Sequence, residues 1–286
     1  MLAMYNLHRN WQSETNLLRT TLVATQNDRV VGVGTIFEST FHPAMLMVII
    51  HVATTWQRQS IGTLLFNALQ QVSDGRPWLV KLTRRDEAGV QFFHTQGFRP
   101  IVDTLTGVLN LQEPRVQEWV KTLPKTHAEY NILNMDEPEC SVSLTDIALV
   151  QAAVYRQFHT WSPPIEESVA QALHHYCGTN VMPGSHFCAY DNTQLIGANN
   201  LITNPFRPEA NEGYLMNVGV IQVPHRDADT LAAMLIRHTL EFATTRNMPV
   251  RFEADSTYTP HRTLFENAPA TDVDDSFIIM SNQNMP

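Results

Sequence analysis

The hexapeptide Gln57-Arg58-Gln59-Ser60-Ile61-Gly62 joins an apolar run, MLMVIIHV at 45–52, to an amphipathic segment that begins at residue 60. These are the residue types of an anion site. The first amides of a helix lack intrahelical partners, and the macrodipole adds roughly half a positive charge at that end. Arg58 brings a full charge to the turn. Ser60 and Gly62 keep side chains small where a phosphate must approach the backbone. The same residues also suit a polar loop capping a core helix, and one glycine does not decide between the two.

The flanking elements narrow the choice. Strand-like stretches run at 21–26, 30–37 and 45–52, and the turn QNDR at 26–29 joins the first two as an antiparallel hairpin would. Over 60–73, Ile61, Leu64, Leu65, Ala68, Leu69 and Val72 recur at helical spacing. WLVKLT at 78–83 is a further strand. A helix follows, with Asp86 as its N-cap, Glu87 near the positive end and Gly97 as the stop.

The same order recurs. DNTQLIG in the stretch 186–202 parallels QNDRVVG, and YLMNVGVIQV at 214–223 parallels MLMVIIHV. LAAMLIRHTLEFA at 231–243 is the matching helix, PVRFEA at 249–254 the matching strand, and HRTLFENA at 261–268 parallels VQFFHTQG at 90–97. A repeat of this length indicates duplicated domains rather than a solenoid. The second copy has two helical segments ahead of its hairpin, at 146–159 and 166–176, where the first has only about twenty residues. We divide the chain into 1–125 and 126–286, within the polar stretch 125–138.

Charge is divided unevenly. Residues 1–128 hold 12 Lys and Arg against 9 Asp and Glu, whereas 129–286 hold 7 against 19 and have no lysine. An anionic ligand suits the first half and a cationic one the second. The formal net charge of -9 argues against a nucleic-acid partner. No run approaches the ~18 apolar residues of a membrane span, and the amino terminus lacks the pattern of a secretory signal. Cys140, Cys177 and Cys188 show no CxxC spacing and read as reduced thiols, so we expect a cytoplasmic protein, monomeric or homodimeric, without a metal.

The run VATTWQRQSIGTLL resembles the acetyl-CoA loop of the GNAT N-acetyltransferases, Gln/Arg-x-x-Gly-x-Gly/Ala, with Ser60 at the first glycine and Thr54 replacing a proline. FFHTQGF at 92–98 resembles the family's second signature, about 30 residues downstream. The resemblance implies two tandem GNAT-like α/β domains, each a mixed, mostly antiparallel sheet flanked by helices. It also implies an acetyl-CoA-dependent enzyme that acetylates a small-molecule amine, or an acyl-CoA-binding module that has lost turnover.

By that resemblance the pantetheine arm slides between the fourth and fifth strands, with the thioester near the backbone of Val52 and Ala53. The pyrophosphate rests on Gln57, Arg58, Gln59, Ser60, Ile61, Gly62 and Thr63, and Asp86 lies by the arm. The family's acid, a tyrosine, falls at Phe93, which has no proton to give. For the base, the central strand offers only His51, which faces either the cleft or away from it. Glu38 and His94 are the other candidates. The second copy keeps Arg226 but has Asp227, Asp229 and no glycine, which argues against phosphate there. Its expected role is structural or on the acceptor side, where Glu212 and Tyr214 either line the site or are exposed hairpin residues.

Overall fold

The structure is a computed structural model. It describes residues 3–6, 12–13, 16–39, 42–165, 167, 169–171, 180–204, 210–215, 226–273 and 276–283. The first hairpin pairs β3 (Asn16–Gln26) with β4 (Arg29–Ser39). Its turn residues Asn27 and Asp28 have φ of 49° and 59°, the left-handed pair that matches the twist of a two-residue hairpin. The short β1 (Ala3–Asn6) and β2 (Gln12–Ser13) pair with β3. β5 (Leu46–Val52) continues antiparallel from β4, and α1 (Ile61–Val72) crosses over to the parallel β6 (Trp78–Thr83). α2 (Glu87–Thr95), β7 (Arg99–Leu109) and α3 (Pro114–Thr122) follow.

The second half repeats this order. β8 (Tyr130–Asn134) falls within the stretch expected as linker, ahead of α4 (Leu144–Phe158). β9 (Phe187–Asp191), β10 (Gln194–Asn199), β11 (Ile202–Thr203) and β12 (Gly213–Leu215) come next. α5 (Ala228–Thr245), β13 (Val250–Asp255), α6 (Thr259–Glu266) and β14 (Phe277–Ser281) complete the chain. Most of the expected helix at 166–176, the strand residues beyond Leu215, the turn 223–225 and Cys177 lie outside the described residues.

One sheet runs through both halves in the order β1-β3-β4-β5-β6-β14-β7-β13-β12-β11, while β8, β9 and β10 form a second. Its centre is an exchange. β14, the last strand, enters between β6 and β7, while β7 pairs with β13 of the second half. Packing follows the exchange. Met280 of β14 is fully buried in the core of Leu65, Phe66, Trp78 and Phe98. Leu109, Leu111, Val116 and Val120 are buried with Ile236 and Leu240 of α5. Residues 109–120 lie before the division at 125, yet their core is that of the second half.

The two sheet faces differ. Leu46, Val48, Ile50 and Val52 pack toward α1, as do Trp78, Val80 and Leu82. Gly34 permits this contact, since a Cβ there would stand 2.9 Å from Leu69 Cδ1 of α1. The alternate residues Met47, Leu79, Val102 and Ile279 point to the opposite face, where they meet Trp161 from the segment after α4. By that alternation His51, Lys81, Thr104, Thr106, Glu253 and Asp255 share the second face.

Candidate active site

β5 and β6 are paired only at Leu46 with Trp78 and Met47 with Leu79, and beyond these the strands part. The Ala53 amide donates to Val31 O at 3.0 Å, and Leu46 N to Pro77 O at 2.9 Å. Antiparallel alternation therefore turns the backbone groups of Ile50 and Val52 away from β4 and into the gap. An extended amide-bearing chain can add there as a strand. Of the two residues expected beside the thioester, only Val52 offers its amide. Ala53 does not, because its N–H is already held by β4.

The gap leads to the loop. Thr54–Trp56 form one 3-10 turn, and Gln57 Nε2 donates to Val52 O at 3.1 Å, folding the loop back over the strand end. Arg58 and Ser60 have φ of 61° and 62°, a left-handed backbone that costs any residue but glycine. Ser60 is the N-cap of α1 and makes no side-chain cap bond. Leu64 N is the first amide of the helix to bond back, to Ser60 O at 3.0 Å. The amides of Ile61, Gly62 and Thr63 have no acceptor among the described residues, and Arg58 is exposed there without an ion-pair partner. Gln57, Gln59 and Thr63 are exposed around them. Gly62 needs no special conformation. A Cβ there would touch Phe92 Cε2 at 3.4 Å and Val52 Cγ2 at 3.9 Å, both ordinary contacts.

The remaining expected residues scatter. Asp86 caps α2, accepting from Gly89 N at 2.9 Å. Phe93 is 2% exposed and sits in the core against Phe66 and Phe98; its neighbour Phe92 is the ring beside Gly62. His51 is exposed on the second face, and His94 is exposed in the last turn of α2. Glu38 is paired with Arg76 at 3.1 Å and stands opposite Leu46, six residues along β5 from Val52. That is roughly 20 Å from the end of the strand that meets the loop. Glu212 and Tyr214 are not exposed hairpin residues. Glu212 is buried in an ion pair with Arg251 at 3.1 Å and a hydrogen bond from Asn204, and Tyr214 is 2% exposed.

The counterpart of the loop in the second half is neutralised. Arg226 pairs with Glu129 and, at 3.0 Å, with Asp227, which also accepts from Tyr130 Oη at 2.6 Å. The Tyr130 bond holds the Asp227 carboxyl below its ordinary range, so it stays charged at the head of α5.

A polar group that sequence reading missed lies on the second sheet face. Lys81, two residues past the last β5–β6 pair, reaches Glu253 at 3.8 Å. Thr104 donates to Asp255, and Thr106 stands opposite Glu253. Burial raises the pKa of Glu253, opposed by Lys81 and by a hydrogen bond from Tyr214. Tyr155 of α4 is raised too, first by burial and then by the charges of Asp255 and Glu253. The signal was in VRFEAD, where Arg251, Glu253 and Asp255 alternate with apolar residues. That alternation marks a polar strand face, although it does not say what the face meets.

Residues 5–107 match the family model of the acetyltransferase (GNAT) domain. No curated protein sequence matches the chain. Among solved structures, a GCN5-related N-acetyltransferase from Sphaerobacter thermophilus is similar over 91% of this chain and 79% of its own, at 13% identity and a TM-score of 0.60. A tandem GNAT protein from the clavulanic acid biosynthesis pathway is similar over 95% and 85%, at 13% identity and 0.57. A GNAT-family acetyltransferase from Colwellia psychrerythraea is similar over 92% and 84%, at 13% identity and 0.51. With the splayed strands and the loop at the head of α1, these show the GNAT fold, with the acetyltransferase domain matched at residues 5–107 and a second copy of the fold behind it.

Proposed function

We propose that the protein transfers the acetyl group of acetyl-CoA directly to a small cationic amine, both bound at once, without a metal. The observation that carries this reading is the continuity of the gap with the loop. The open edge of Ile50 and Val52 runs into three helix amides and Arg58, which have no partner among the described residues. The arm lies along that edge, with Asp86 and Phe92 at its border, and the pyrophosphate rests on residues 57–63. Residues 1–125 thus carry the co-substrate, and 126–286 enclose the acceptor, in keeping with their 19 carboxylates against 7 arginines. Most of the rate comes from holding the amine against the thioester, so few side chains are indispensable. We place the enzyme in the cytoplasm, as a monomer or homodimer; no described helix is long and apolar enough to cross a membrane.

Calorimetry with acetyl-CoA tests the reading. One site per chain is expected, and the double variant Arg58→Glu, Gly62→Asp should weaken binding at least ~100-fold, about 2.7 kcal/mol. The Gly62 position has room for a Cβ, so the loss would report charge rather than misfolding. A native protein that does not bind acetyl-CoA would refute the proposal. One feature favours a second reading, an acyl-CoA-binding module without turnover. Phe93, at the position of the family's acid, is in the core and has no hydroxyl. Under that reading acetyl-CoA binds but no amine releases thiol.

A further inference from the structure

Cys140 and Cys188 reach one place in the fold from two sides. Cys188 lies in β9, the middle strand of the three-stranded sheet, opposite Leu133 of β8 and Ala198 of β10. Its side chain is fully buried under α4, in a cluster with Ile147 and Ala198. Cys140 follows the turn after β8, its amide held by Glu137 O at 3.0 Å, and packs half-buried against the same cluster. Tyr190 ties the two together. It stands two residues along β9 from Cys188, hence on the same face, and its Oη lies 3.4 Å from Cys140 Sγ. The Cys188 thiol is pushed up first by burial and then by its Cys140 neighbour, through charge and a hydrogen bond. The two sulfurs differ in access. Cys188 is sealed in, whereas a cavity of about 370 Å³ lies beside Cys140, walled by the adjoining Ser141, by Tyr190 and by Val142, Thr193 and Leu195. A small oxidant can therefore reach Cys140, and the Tyr190 hydroxyl can donate to the thiolate that reacts.

We propose that Cys140 and Cys188 form a reversible disulfide in response to a hydroperoxide, with Cys140 reacting first and Cys188 resolving, and that the bond fastens the entry of α4 to β9. The Cys140 sulfur attacks a peroxide oxygen. A sulfur–oxygen bond forms, the oxygen–oxygen bond breaks, and the departing oxygen takes the thiol proton and leaves as water or an alcohol. The Cys188 sulfur then bonds to the Cys140 sulfur, the sulfur–oxygen bond breaks, and the hydroxyl leaves with the Cys188 proton as water. Two thiols thus give up two electrons, and one hydroperoxide is reduced. A thiol reductant reverses the change by exchange, so in a reducing compartment the pair rests as thiols. The clamp acts on the helix that links the two sheets, since the other end of α4 meets the first half through Tyr155 and His42. Neither step calls on the acetyl-CoA reading.

The test treats the folded full chain with a small excess of hydrogen peroxide, alkylates the remaining thiols and maps the digest by mass spectrometry, with dimedone in parallel to trap sulfenic acid. Native protein should yield a peptide joining Cys140 to Cys188, lost on treatment with dithiothreitol. Its Tm should rise by about 4–8 °C on oxidation, because the bond constrains the unfolded chain. Cys188→Ala should accumulate the dimedone adduct at Cys140 at least ~10-fold over native, since the resolving thiol is gone. Cys140→Ser should leave Cys188 unlabelled. The native map needs no variant, so it decides the matter even where a variant fails to fold. Native protein in which Cys140 and Cys188 stay unlinked, or in which either pairs with Cys177, overturns the proposal. So does labelling of Cys188 in Cys140→Ser to the extent of Cys140 in Cys188→Ala, or a cross-link that leaves the Tm unchanged or lower.

Discussion

Acidification should unfasten the end of α4 from the first half through two histidines. His42 Nδ1 meets Ser162 O at 2.6 Å and Nε2 meets Tyr155 Oη at 2.8 Å. His159 stacks on Tyr155 with ring centroids 3.7 Å apart, and its Nδ1 donates to Tyr155 O at 2.8 Å. Burial, aided for His42 by His159, lowers both from 6.5 to about 4. The unfolded chain takes up these protons as pH falls below 6.5, while the folded chain resists until about 4. Their contribution is therefore complete above pH 6.5 and is lost as pH falls to about 4. At 1.36 kcal/mol for each pH interval of one, each histidine withdraws about 3 kcal/mol, a large share of the 5–15 kcal/mol that holds a typical domain. Urea unfolding near pH 7 and near pH 4 measures it. Native protein should lose about 3 kcal/mol more than His159→Phe, which keeps a stacked ring without a proton site. Parallel loss in the two proteins, or a greater loss in the variant, would refute the reasoning.

Two further outcomes follow from the backbone and the exchanged strand. Ser60→Gly should stabilise the protein by about 1 kcal/mol in thermal melts, since φ is 62° and no cap bond is lost, with acetyl-CoA binding kept within a few-fold. A drop in stability would mean that the left-handed turn is not populated. Met280→Ala should cost about 2–5 kcal/mol in urea unfolding although only six residues follow it, because Met280 is fully buried in the first core. A surface-like effect below about 0.5 kcal/mol would remove β14 from that core.

Much of the architecture was legible in the residues because it is local. The α1 stripe of Ile61, Leu65 and Leu69 packs as its spacing implies, Asp86 caps the helix it precedes, and Asn27-Asp28 makes the hairpin turn. The loop at 57–62 was legible for the same reason. Its backbone geometry is set by its own few residues and by the helix amides behind it, and Ser60 adopts a left-handed conformation. The duplicate turn was legible as charge, since Asp227 is adjacent to Arg226.

What escaped the sequence is what depends on partners far along the chain. Period-two alternation says that Glu253 and Asp255 share a face but not which strand lies alongside. Glu253 meets Lys81 from 172 positions earlier only because β14 and β7 trade places in the middle of the sheet. Glu38, acidic and at a strand end, looked available until Arg76 closed on it, and Tyr214 looked exposed until the sheet buried it. Sequence by itself determined the elements, the duplication and the turn at the head of α1, because hydrogen bonding, helix periodicity and capping act over a few residues. Only the tertiary structure decided which carboxylates are buried and which are paired, because desolvation and ion pairing are set by whatever the fold brings within a few ångströms.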